Sequence, residues 1–120
     1  MTREFVSMPA FEKSWRELGF GDQDLSELQF CLCRNPELGD MVEGTGGLRK
    51  LRFAFRNRGK SRSVRIAYVD FRSYEKLFLI VAFQKSEKVN FSVSEKQQIR
   101  TTIQTLKAQL KEKIDREKRV

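Results

Sequence analysis

Lys50 and Arg52 lie two residues apart in a stretch whose apolar residues also recur at every second position. That period sends both cations to one face of a strand. Arg65 opens the next apolar stretch and Lys85 follows the one after it, so a small twisted sheet can gather all four on one concave patch. Convergent cations suit a phosphodiester, and binding one needs only their charge. Cutting RNA through its own 2′-hydroxyl needs more. A proton must leave the 2′-oxygen, a pentacovalent phosphorane must be stabilised, and the departing 5′-oxygen must be protonated. A Lys whose charged form is disfavoured by neighbouring cations can take the first proton. An Arg, always charged, can hold the phosphorane. Spacing by itself favours binding over catalysis.

The distribution of charge points the same way. Between Gly44 and Val69 stand Arg49, Lys50, Arg52, Arg56, Arg58, Lys60, Arg62 and Arg65 with no acid, and they account for the whole net charge of +8. A polyanion is the natural partner of such a segment. A face kept basic only for solubility would more often mix signs. Arg49, Arg56, Arg58, Lys60 and Arg62 are therefore candidate RNA contacts around the four central cations. Phe53, Phe55, Tyr68, Phe71 and Phe83 lie in the same region. Such rings can stack on unstacked bases. Tyr68 is the candidate for that role, although aromatic residues at strand spacing also build cores.

Other chemistries are excluded or disfavoured. The chain has no His, which removes His-based triads, zinc sites and haem sites. Cys31 and Cys33 are too few for a disulfide scaffold and read as two buried thiols. No metal or cofactor is expected. Gly59-Lys60-Ser61 matches a P-loop only as a tripeptide, because Ala54 stands where the first glycine belongs and no helix follows. The glycines of EGTGGLRK precede a strand and read as a tight turn. No run approaches the roughly 18–20 apolar residues of a membrane span, and MTREFVSMPAF has no signal-peptide core. No membrane association is expected, and the compartment is read as cytoplasm.

The elements that must position these residues follow from periodicity. The 120 residues fit one domain, with 111–120 as a charged extension. Residues 3–8 read as a short strand. Pro9 then suits a first helical turn, and Phe11, Trp15 and Leu18 give a helix over 9–18. Asp22 or Asp24 can cap a second helix carrying Leu25, Leu28 and Leu32, which Asn35-Pro36 ends. Residues 36–47 form a glycine-rich loop. Strands follow from Arg49 and over 63–71 and 77–83, with a turn near Arg72–Glu75. Short connections make those three an antiparallel meander. Ser92 and Glu95 form a capping box for a final helix with Ile99, Ile103, Leu106 and Leu110 on one stripe. The class is α+β: a small antiparallel sheet with two N-terminal helices and a C-terminal helix.

The string GTGGLRKLRFAFRNRGKSRSVRIAYV, followed by FLIVAFQKSE and a Ser-capped helix, resembles the HigB branch of the RelE/ParE toxin superfamily. These are toxins of bacterial type II toxin–antitoxin modules. The resemblance spans about Phe5 to Leu110 and is strongest from Asn35-Pro36 through Gly39-Asp40 and GTGGLRK to Arg65. It implies the same α+β fold and a metal-independent endoribonuclease, an mRNA interferase that inhibits translation by cutting mRNA in the A site of the 30S subunit, beside rRNA. It casts Lys50 as general base and Arg65 as phosphate clamp. Arg52 and Lys85 then stabilise charge or help protonate the leaving group. It also implies a cognate helix-turn-helix antitoxin, HigA-like. Two departures stand out. Phe83 replaces the tyrosine of the family's Tyr-x-Lys-x-Glu segment, and Arg62 and Ser63 replace glycines after the tip. Three rival readings remain: a non-catalytic RNA- or ribosome-binding module, a ParE-like inhibitor of another target such as gyrase, and a phage or regulatory protein that borrows the scaffold.

Overall fold

The computed structural model describes residues 2–55, 62–84 and 90–118. The elements run β1 (Glu4–Ser7), α1 (Pro9–Glu17), α2 (Asp22–Arg34), β2 (Asp40–Met41), β3 (Leu48–Phe55), β4 (Arg62–Phe71), β5 (Lys76–Phe83) and α3 (Val93–Lys118). A single 3-10 turn, Arg72–Tyr74, joins β4 to β5. The strands form one sheet in the order β1-β5-β4-β3-β2. α1 and α2 pack on one face and α3 on the other.

The local signals explain the helices. Pro9 takes the first helical position of α1, where its missing N–H costs nothing. α2 is entered through Gly21, whose N–H donates to Asp24 Oδ2 at 2.8 Å. Asp24 thus caps from inside the first turn rather than from in front of it. The expected box on α3 is present in both directions: Ser92 N–H donates to Glu95 Oε1 at 2.9 Å, and Glu95 N–H to Ser92 Oγ at 3.1 Å. α3 continues as helix through Lys118, so most of the charged extension is helical.

β3, β4 and β5 form the expected antiparallel meander. The sheet as a whole is mixed, because β1 pairs parallel with β5. The chain leaves β1 directly into α1, and strand direction has no signature in a four-residue apolar run. β1 reaches only Leu79. Beyond it the Ala82 N–H donates to Ser14 Oγ of α1 at 3.0 Å, so a helix side chain completes the ladder.

The unbroken apolar run of β5 hides a bulge. Ala67 faces Val81 and Tyr68 faces Leu79, which leaves Ile80 without a partner. A bulge resets the alternation of side chains. Leu77, Leu79 and Ala82 pack under α1 and α2, whereas Phe78 and Phe83 pack under α3. Phe83 thereby comes directly opposite Arg65.

Candidate nucleic-acid interface

Period two over β3 decides what each face carries. Leu51, Phe53 and Phe55 are buried toward α1 and α2. Lys50, Arg52 and Ala54 occupy the opposite face, the one shared with Leu48 and α3. β4 divides in the same way. Val64, Ile66 and Tyr68 enter the α1/α2 core, while Ala67 and Val69 lie with α3 and put Arg65 on their face. The register sets Arg52 directly opposite Arg65. Lys50 is next on that face, between Asp40 of β2 and Ala67 of β4. Three of the four central cations are therefore gathered on one patch. Arg52 is exposed; Lys50 and Arg65 are half-buried.

Two like charges directly opposite one another weaken a strand pair by about 0.2–1 kcal/mol. Phe83 on the far side of Arg65 brings no charge to offset them. An arrangement that costs stability and concentrates positive potential is suited to an anion. Asp40 is the exception on this patch. It faces Lys50 across the β2–β3 pair and can orient its side chain. Nothing in a two-residue strand inside a glycine-rich loop announces its pairing.

The loop that carries Asp40 is held from the other face. Tyr68 is fully buried. Its hydroxyl donates to the Pro36 carbonyl at 2.8 Å and accepts the Gly39 N–H at 2.8 Å. A Cβ at Gly39 would lie 2.9 Å from Tyr68 Cε1 and 3.1 Å from the Lys50 carbonyl, so only glycine fits there. Burial raises the Tyr68 pKa above its ordinary value, and the Gly39 N–H opposes the rise. The expectation that Tyr68 stacks on bases is thus corrected: the ring is core and its hydroxyl anchors a loop. Arg49 lies on the Leu51 face, not the Lys50 face, and its Nη1 donates to the Gly39 carbonyl at 2.7 Å. Its guanidinium braces the same loop.

The GTGG segment is the tight turn expected of it. Thr45 is fully buried; its Oγ1 donates to the Val42 carbonyl at 2.7 Å and accepts the Leu48 N–H at 3.1 Å. Gly44 and Gly46 take φ of +85° and +77°, where a side chain would be strained. Lys85, Arg56, Arg58 and Lys60 lie outside the described residues. Arg62 pairs with Phe55 in the ladder, and its side chain is likewise outside them.

The fold and the patch together define a small α+β domain with a cationic sheet face, and comparison with known proteins gives the family. The family model described as "RelE toxin of RelE / RelB toxin-antitoxin system" matches residues 9–119. The chain belongs to the RelE toxin family. It is also similar in structure to a doubly substituted E. coli toxin RelE in the free state. The TM-score is 0.52 over 71% of this chain and 85% of that one, at 16% identity. At that identity the likeness concerns the fold. No helix among the described residues is long and apolar enough to cross a membrane.

Proposed function

We propose that this protein is the toxin of a bacterial type II toxin–antitoxin pair and acts in the cytoplasm as a ribosome-dependent mRNA endonuclease of the HigB branch. The observation that carries the proposal is the Arg52–Arg65 cross-strand pair with Lys50 beside it on the same face, an arrangement of like charges that costs stability. Lys50, oriented by Asp40, takes the proton from the 2′-hydroxyl. The 2′-oxygen attacks the adjacent phosphorus. Arg65 and Arg52 hold the two non-bridging oxygens as charge builds on the phosphorane. The 5′-oxygen leaves with a proton, giving a 2′,3′-cyclic phosphate and a free 5′-hydroxyl. Lys85 keeps its place in this scheme, as the donor of that proton, by resemblance alone. The four groups are cationic or acid–base side chains, so the scheme calls on no metal.

The ribosome's part is to present mRNA in an attackable conformation. The partner that silences the toxin is a cognate antitoxin, HigA-like by resemblance. Phe83 supports a second reading. It is buried against the α3 side and cannot exchange a proton, which suits a module that binds ribosomal RNA without cutting.

Primer extension on mRNA during translation in vitro separates these readings. New ends inside ribosome-occupied codons, lost with Arg65→Ala, support cleavage. Uncut mRNA with ribosome binding retained supports the binding module. Uncut mRNA without ribosome binding sends the search to another target, such as gyrase.

A further inference from the structure

α3 is divided in charge. From Lys96 to Lys111 it has no acid, while Glu112, Asp115 and Glu117 all fall in its last turns. Lys96, Arg100 and Lys107 are spaced i, i+4 and i+11, which places them within about 40° of one another around the helix at about 100° per residue. They flank the stripe of Ile103 and Leu110 that packs on the sheet. That flank rests on the glycine turn. A Cβ at Gly44 would lie 3.5 Å from Lys96 Cδ, and one at Gly46 would lie 3.6 Å from Arg100 Cγ. The bare glycines form a bed for the two stems.

Beside this flank is an open cleft of about 240 Å³. Gly46 and Gly47 form one wall, Arg72 and Ser73 another, and Lys107 a third. Asp70 also reaches it, but both its oxygens are taken by Arg3, at 2.7 and 3.2 Å. Glu95 is engaged in the helix cap. Glu43, exposed in the turn, opposes the four cations without cancelling them. None of Lys50, Arg52 and Arg65 lines this cleft.

We propose that Lys96, Arg100 and Lys107 of α3, with Arg72 across the cleft, form a second RNA-backbone contact surface, separate from the cutting patch. The proposal rests on the ribosome-directed reading above and names where the folded rRNA is gripped. Charge complementarity selects a polyanion. The residues between the cations select RNA over a lipid surface or an apolar peptide. Gln97 and Gln104 are exposed beside them, within about 60° of Arg100 around the helix, and their amides hydrogen-bond phosphate and sugar oxygens. No large apolar side chain is exposed from Lys96 to Leu110, and insertion into a bilayer would need one.

The test is the affinity of the full chain for vacant 70S ribosomes across a salt series. K96Q/R100Q is compared with K113Q/K118Q, which removes the same charge from the far end of the helix. The expected result is weaker binding for K96Q/R100Q, with the slope of log affinity against log salt reduced by about 1 per cation removed. The K113Q/K118Q slope stays at the parent value, and K96R/R100K restores binding. Equal slopes for the two neutralised variants, with the parent still binding, overturn the α3 surface and leave the proposed function standing. Failure of the parent itself to bind ribosomes overturns both. A melting curve for each variant excludes loss of fold as the cause.

Discussion

The two faces of the sheet are made by the same strands and do opposite things. Toward α1 and α2, β3 and β4 present Leu51, Phe53, Phe55, Val64, Ile66 and Tyr68 to a core in which Trp15, Phe20 and Phe55 rings lie 4.6–6.1 Å apart. Such tilted aromatic contacts add to burial. Toward α3, the same residues of the ladder alternate into Lys50, Arg52 and Arg65, and α3 covers only part of that face. One face is packed with apolar side chains. The other keeps a like-charge pair that packing would remove. In a chain this small, period two lets a core face and a cationic face share one strand.

The sharpest way to break the packed face is Asp70→Ala. Arg3 and Asp70 form a bidentate ion pair with side-chain exposures of 5% and 9%. Removing one partner strands a buried charge, and denaturant titration should show a loss of about 3–5 kcal/mol. The open face should respond in the reverse manner. Arg65→Ala should lower single-turnover cleavage on programmed ribosomes by about 10²–10³-fold, with a melting temperature equal to or above the parent's.

A smaller change tests the loop that both faces share. Tyr68→Phe leaves the Pro36 carbonyl and the Gly39 N–H without their buried partner and should cost about 1–3 kcal/mol. It also carries a pH signature. The raised Tyr68 pKa means that the folded state holds the phenol proton more tightly than the unfolded chain does. Its contribution is complete below the unfolded value of about 10 and is lost as pH rises toward the folded value. Parent stability should therefore fall more steeply above about pH 10 than that of Tyr68→Phe. The smallest effect belongs to Arg52→Thr. Relief of the opposed charges should raise stability by at most about 1 kcal/mol while cleavage falls. A loss of stability there would show that the pair is not opposed in solution.

Much of this was legible in the chain. Pro9, Asn35-Pro36 and the Ser92–Glu95 box marked helix ends through local hydrogen bonding and sterics. Alternation from Arg49 to Phe55 gave β3 its two faces, and the run of cations without acids pointed to a polyanion. Each of these signals acts within a few residues, where backbone geometry alone decides the outcome.

What stayed hidden depends on contacts between distant segments. The parallel docking of β1 on β5 and the Ile80 bulge are pairing events that leave no mark on composition. The same holds for Asp40 beside Lys50. Tyr68 could be read as core or as a base contact until the loop that its hydroxyl anchors was in place. The cations of α3 were invisible to a tally by stretch, since acids elsewhere in the chain cancel them. By itself the sequence determined most of the elements and the sign of the charge on β3 and β4, because periodicity and charge are properties of neighbours. Only the tertiary structure decided which cations share a surface, because convergence is set by register and by packing across the sheet.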